Sequence, residues 1–274
     1  MITKNNWVAC NLDERFTNPV SDYILTLTPY PFKPVDFNSA VEMTVKEIAS
    51  NYGNLFLALS GGYDSEFVLR AFHKYGVPIT PVIVLYGNEV ESRYAYKVCD
   101  ELRITPVEIK VTDEQFIEYY YEKIYKKFNV PGGFHATQSL FAAEYIEKNN
   151  GTLIIGGHVM SNGNTNIADE FSDTTEWDFY THYLYPAVNA IDFYLYTAEI
   201  AYSVMPQHNT GTWSEHKHKL FNIEYREKIR PKYPRIVIDK LKEIIGDVTT
   251  YKHQNGYTWT REEFEQIFEK AILK

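Results

Sequence analysis

Cysteine is nearly absent from this chain: Cys10 and Cys99 are the two among 274 residues. No C-x-x-C pair exists, which excludes a zinc ribbon or a redox dithiol built within the chain. Cys99 falls in a helical pattern with Ala95, Val98 and Leu102, so it reads as a small buried apolar side chain and not as a nucleophile. Long apolar runs are missing as well, and none approaches the length of a membrane span. The first residues, Met1 to Trp7, lack the apolar centre of a secretory signal. The expectation is a soluble, cytoplasmic protein with no membrane association. Basic residues are in deficit, 27 Lys and Arg against 36 Asp and Glu, for a net charge of −9. That balance argues against a broad nucleic-acid-binding face, while leaving room for a local basic channel. The patterns G-x-x-x-x-G-K-[ST] and G-x-G-x-x-G do not occur, which sets aside a Walker nucleotidase and a dinucleotide-binding Rossmann enzyme. His216 and His218, two apart and without other ligands at metal spacing, do not make a zinc site.

What is present is one dense cluster, Ser60-Gly61-Gly62-Tyr63-Asp64-Ser65. An apolar run, Leu55 to Leu59, precedes it, and a segment with helical spacing (Phe67, Val68, Ala71, Phe72, Tyr75) follows. The order reads as strand, tight loop, helix. Such a loop aims backbone N–H groups, two hydroxyls and a helix N-terminus at one small volume, which suits an anion. Paired glycines allow positive φ and close approach of a ligand. Asp64 fits such a site if a divalent cation accompanies the anion, because hard cations take carboxylate oxygen.

Along the chain, residues 1–36 are irregular and proline-containing, an arm expected to wrap on the core. A helix is expected over 37–50, a strand over 54–59, a helix over 64–75 ended by Gly76 and Pro78, and a strand over 79–86. Helix 89–102 and strand 107–111 follow. Thr112-Asp113-Glu114-Gln115 is a capping box opening a helix to about residue 128. A helix over 137–148 and a strand over 152–155 lead into Gly156-Gly157-His158. This alternation predicts an α/β fold, a doubly wound and mostly parallel sheet, with a nucleotide-binding core over 37–160. Ligands of such sheets lie beyond the strands' carboxyl ends. The Ser60 loop, Tyr86-Gly87-Asn88 and Gly156-Gly157-His158 therefore converge on one pocket. His158 serves there either as a phosphate or substrate contact or as loop structure. Residues 161–274 read as a lid and a helical C-terminal addition: a polar stretch over 161–175, aromatic helices over 178–204, and helices over 212–245 broken by Pro231 and Pro234. The many tyrosines read as structural, with their hydroxyls at the surface.

The hexapeptide resembles the S-G-G-x-D-S signature of the PP-loop ATP pyrophosphatases. The strand at 79–86, Glu91-x-x-x-Ala95, Pro106 to Ile109 followed by Thr112 and Phe116, and Asn129-Val130-Pro131 resemble, within that group, the synthetase domain of asparagine synthetases and β-lactam synthetases. The likeness spans roughly residues 37–160, and its specific motif is the first one. It implies cleavage of ATP between the α- and β-phosphates with magnesium, transfer of AMP to a carboxylate or carbonyl oxygen of the substrate, and displacement of AMP by nitrogen to form an amide or other C–N bond. It implies that Ser60, Gly61, Gly62 and Ser65 hold the pyrophosphate portion and that Asp64 binds magnesium. Adenine would be recognised by strand-end backbone at Leu59 and at Val84, Leu85 and Tyr86, with Gly157 also at the nucleotide. This branch uses a lysine near the C-terminus on the leaving pyrophosphate. The basic run Tyr225 to Lys232 supplies the candidate, Lys228, whose other reading is a solvated helix face.

Two departures stand out. Where those synthetases carry G-E-G-A-D-E, this chain has Gly157-His158-Val159-Met160-Ser161-Asn162, without the second carboxylate. Asp169 or Glu170, in the polar stretch, could take its place if that stretch closes over the site. The N-terminal glutaminase of those synthetases is not expected either, since Ile2 stands where their cysteine would be. The nitrogen would come from ammonia, a substrate amine, or a glutaminase partner, and a homo-oligomer is compatible with all three. Alternatives are a nucleotide- or tRNA-modifying PP-loop enzyme for sulfur or nitrogen transfer, and a non-catalytic ATP- or AMP-binding regulator.

Overall fold

A computed structural model describes residues 4–10, 25–27, 35–86, 89–125, 137–156, 189–203, 219–223, 243, 250–252 and 258–260. The arm is not wholly irregular. Val8–Cys10 (β1) and Leu25–Leu27 (β2) pair antiparallel. The arm is docked by Trp7, which is buried and donates its indole N–H to the Leu195 carbonyl at 3.0 Å. Phe37–Asn51 (α1) starts at Asp36, whose carboxylate accepts from the Ser39 amide and hydroxyl. Those bonds to the charged form hold the Asp36 carboxyl below its ordinary pKa. Phe37, Ala40, Val41, Thr44, Val45 and Ile48 recur at helical spacing and are the buried face of α1.

The core alternates strand and helix: Leu55–Ala58 (β3), Tyr63–Lys74 (α2), Thr80–Leu85 (β4), Glu89–Leu102 (α3), Val107–Lys110 (β5), Asp113–Tyr119 (α4), Thr137–Lys148 (α5), Thr152–Ile155 (β6) and Asn189–Asp192 (β7). The capping box at Thr112 is formed, with Thr112 and Gln115 bonding reciprocally. The α-helix it opens passes into a π-helical segment, Tyr120–Tyr125. The strand order is β5-β4-β3-β6-β7, and every pair is parallel. Leu55, Leu57, Leu59, Ile83, Ile154 and Ile191 point to one face, where they pack with apolar side chains of α1, α2 and α3. Phe56, Val82, Leu153 and Ala190 point to the other, against Ala142, Ala143 and Ile146 of α5. This period-two partition is what near-continuous apolar strands require when both faces are covered.

The chain runs from β3 outward to β4 and β5, crosses back through α5, and resumes on the other side of β3 with β6 and β7. Strand order thus reverses at β3–β6, the position where doubly wound sheets open a crevice at their carboxyl edge. The sheet reaches past residue 160, because β7 is its fifth strand. The expectation of helix throughout 178–204 is corrected there: Asn189–Asp192 is strand, followed by a 3-10 turn, Phe193–Leu195, and a short helix, Ala198–Tyr202 (α6). A four-residue strand whose Ala190 and Ile191 are buried on opposite faces shows no alternation for the sequence to display. Residues 219–221 form a helical turn. Thr250–Lys252 (β8) and Thr258–Thr260 (β9) add an antiparallel pair that the sequence pattern did not suggest. Among the described residues no helix is long and apolar enough to cross a membrane.

Candidate active site

The loop after β3 is built from the strand upward. Leu59 is buried and its amide donates to the Val82 carbonyl at 2.9 Å, the last link between β3 and β4 before the chain turns away. Gly61 then takes φ 85°, a left-handed conformation that a side chain would strain. Gly62 caps α2 with extended backbone and, being glycine, places no side-chain oxygen of its own over the helix N-terminus. The Gly62 amide donates to Ser60 Oγ at 3.3 Å, Ser65 Oγ donates to the Gly62 carbonyl at 3.3 Å, and the two serine oxygens lie 3.2 Å apart. With the Ser65 proton committed to Gly62, Ser60 donates to Ser65, and the three bonds close a ring. One hydroxyl of the ring is exposed, Ser60, and the other is buried, Ser65. Both are short-range donors that can turn toward an anion arriving at the helix end.

Asp64 is half-buried in the first turn of α2. The other acidic residue of that turn, Glu66, is turned inward and bound by Arg70 Nε at 2.8 Å, and Arg70 also pairs with Glu101. Tyr194 donates its hydroxyl to the Asp64 carbonyl at 3.1 Å. Burial, then the charges of Asp64 and Asp192, push the Tyr194 phenol well above its ordinary pKa. Asp192, the last residue of β7, is 1% exposed and accepts the Tyr194 amide at 2.9 Å. Gly156, directly after β6, lies against the same turn: a Cβ there would stand 2.8 Å from Ser65 N and Cα and 2.9 Å from the Asp64 carbonyl carbon.

Beyond the loop, β4 outlasts its partner. Its pairing with β3 ends at Val82, opposite Ala58, whereas its pairing with β5 continues through Val84 and Leu85. Val84 and Leu85 are half-buried, and Tyr86 is buried with its ring 5.6 Å from that of Phe116. The β4 end therefore runs alongside the mouth of the Ser60 loop. Of the residues expected from sequence, Leu59, Ser60, Gly61, Gly62, Asp64, Ser65, Val84, Leu85 and Tyr86 belong to this one edge of the sheet. Gly157, His158, Lys228, Asp169, Glu170 and the 161–175 stretch lie outside the described residues, as do Gly87 and Asn88. Among the described residues no three His, Cys, Asp or Glu side chains gather as a metal-binding group. Cys99 is buried, and burial raises its thiol to about 11, as its apolar reading requires.

Two residues of the site, Asp192 and Tyr194, were not indicated by the sequence, whereas Gly156 belongs to the Gly156-Gly157-His158 loop expected at the pocket. Asp192 and Tyr194 sat inside a segment read as helix, and Tyr194 inverts the expectation that tyrosine hydroxyls reach the surface. The Gly-Gly pair at a strand end was the signal for Gly156; Asp192 and Tyr194 had none of comparable strength.

The donor set suits a polyphosphate with its cation. Hydroxyls, a helix N-terminus free of a side-chain cap, and a glycine turn accept phosphate oxygens, and a half-buried carboxylate beside them accepts a hard cation. No protein-family model matches the chain, and no curated protein matches it. Among solved structures, an NMN synthetase from Francisella tularensis aligns at 15% identity over 76% of this chain and 92% of that one, with a TM-score of 0.36. A predicted tRNA methyltransferase subunit from Methanocaldococcus jannaschii aligns at 12% over 77% and 94%, TM-score 0.38. A glutamine-dependent NAD+ synthetase from Acinetobacter baumannii, solved with ADP, aligns at 14% over 47% of this chain, TM-score 0.35, and the chain spans 27% of its length. None of these three structures is an asparagine synthetase.

Proposed function

We propose that the chain is an ATP-dependent ligase that adenylates a carboxylate, releases pyrophosphate, and forms an amide when ammonia or an amine displaces AMP. The observation that carries this reading is the Ser60–Ser65 loop: a glycine at positive φ, a helix N-terminus without a side-chain cap, two hydroxyls 3.2 Å apart, and Asp64 beside them. The loop amides and hydroxyls would hold the β- and γ-phosphates, and the β4 edge at Val84 to Tyr86 would receive the base. A carboxylate oxygen attacks the α-phosphorus, and the bond to the α–β bridging oxygen breaks. Magnesium, when bound, neutralises charge on the departing pyrophosphate, and Asp64 is the residue assigned to hold it. Lys228 is assigned to the same leaving group and His158 to a phosphate or substrate contact, both on the strength of the sequence motifs.

The products decide the reading. Protein incubated with magnesium and ATP labelled at the α- and γ-phosphates, with a panel of carboxylates and ammonia, is expected to yield AMP and pyrophosphate. ADP and phosphate would overturn the proposal, and nucleotide bound without turnover would leave a binding regulator in its place. Gly61→Val is expected to abolish Mg-ATP binding, because a β-branched side chain is strained at φ 85° and fills the space the phosphates need.

A further inference from the structure

The first turn of α2 is fixed by more than its covalent link to β3. Gly156, at the end of β6, presses its backbone against Asp64 and Ser65. From beyond β7, the Tyr194 hydroxyl donates to the Asp64 carbonyl oxygen at 3.1 Å. That carbonyl sits inside a helix, where the amide four residues on is its ordinary partner. A carbonyl oxygen has two lone pairs, so Tyr194 is a second donor on one oxygen, and its role is not to satisfy an otherwise stranded group. Tyr194 itself is 1% exposed, its ring centroid stands 6.0 Å from that of Phe67 and 5.3 Å from that of Phe193, and its amide is tied to Asp192. Asp192 pairs in register with Ile155, the residue before Gly156.

We propose that Tyr194 is a positioning residue for the phosphate loop: held by β7, its hydroxyl sets where the Asp64 carbonyl lies and hence where the amide end of α2 meets the pyrophosphate portion of ATP. The proposal rests on the nucleotide reading above. It assigns Tyr194 no contact with ligand, since the hydroxyl acts on the helix. Phosphate-binding amides are effective only when held to within about 0.5 Å of their place, and a rigid phenol anchored to another strand supplies that restraint.

Tyr194→Phe removes the oxygen while keeping the ring, and it leaves Asp64 its helical partner. Calorimetric titration with Mg-ATP and with Mg-pyrophosphate is expected to show both dissociation constants rising about fivefold, the ratio one hydrogen bond of ordinary net strength controls. The thermal midpoint without ligand is expected to stay within about 3 °C of the wild type. Unchanged affinity for both ligands overturns the proposal, and so does a large fall in midpoint with affinity intact, which would make the tyrosine structural only. Wild-type protein that binds neither ligand refutes the nucleotide reading itself, a result distinct from a wild type that binds and a variant that binds equally well. Should the variant not fold, hydrogen exchange of the wild type decides: amides of 63–66 and 190–194 are expected to open as one unit, and opening of 63–66 alone would refute the coupling.

Discussion

Replacing Gly156 with alanine tests whether the end of β6 is a wall of the proposed phosphate site. The added Cβ would lie 2.8 Å from Ser65 N and Cα and 2.9 Å from the Asp64 carbonyl carbon, whereas ordinary contact begins near 3.4 Å. The deficit is 0.6 Å, the difference between 3.4 and 2.8 Å. All three neighbours are backbone atoms, so no side chain can swing aside. Ser65 is held by its bonds to Gly62 and Ser60, and Gly156 follows a strand paired on both sides. Either α2 is pushed off the sheet or β6 is bent. Overpacking of this kind costs about 1–3 kcal/mol, which in a chain of this size lowers the melting midpoint by roughly 2–10 °C. The displaced turn is the one that would receive phosphate, so Mg-ATP affinity is expected to fall at least tenfold, more than the loss of stability alone would cause. Thermal unfolding and calorimetric titration on the same preparation measure both. A variant with wild-type midpoint and wild-type affinity would show that the β6 end does not abut the loop and does not wall the crevice.

Other substitutions probe the surrounding core. Thr137 is buried, and its hydroxyl has no hydrogen-bond partner among the described residues; Thr137→Val keeps the shape and removes that oxygen, so it is expected to leave stability unchanged or raise it by about 1 kcal/mol, read by urea unfolding. Cys99, with its thiol raised to about 11 by burial, is expected to resist a thiol reagent at pH 8 in folded protein and to react promptly in denaturant; equal rates in the two conditions would contradict its burial.

The elements that make the candidate site legible from sequence are those whose local signals agree with their tertiary role. Leu55 to Leu59 is an unbroken apolar run, Gly61 and Gly62 mark the turn, and Phe67, Val68, Ala71 and Phe72 are all buried at helical spacing. α5 matches its expected bounds, 137–148, and the capping box of α4 forms as its residues specify. β7 fails the same test. Asn189-Ala190-Ile191-Asp192 is short and flanked by aromatics, and its strand geometry comes from a neighbour 37 positions earlier in the register, Thr152 against Asn189. Long-range pairing of this sort overrides local preference. Asp192 and Tyr194 were hidden for the same reason: their importance lies in what β7 stands beside.

The first turn of α2 holds two acidic residues, Asp64 and Glu66, in different surroundings. A helix N-terminus favours carboxylates, yet two of them beside a polyphosphate would repel it. Glu66 resolves its share internally: its side chain is 2% exposed and is neutralised by Arg70, which is held in turn by Glu101. Asp64 is half-buried in the same turn, and under the proposed function it is the carboxylate that a cation travelling with the phosphates would meet. The two should therefore respond differently to the same change. Asp64→Asn is expected to keep the fold and remove the dependence of nucleotide binding on magnesium. Glu66→Gln is expected to lower stability by about 1–3 kcal/mol, since a buried pair loses one charge and strands part of the other, while magnesium dependence persists. Titrating ATP with and without magnesium against both variants, alongside their unfolding curves, reads all four quantities. Loss of magnesium dependence in Glu66→Gln with its retention in Asp64→Asn would reverse the assignment and move the cation to the α2–α3 side of the helix.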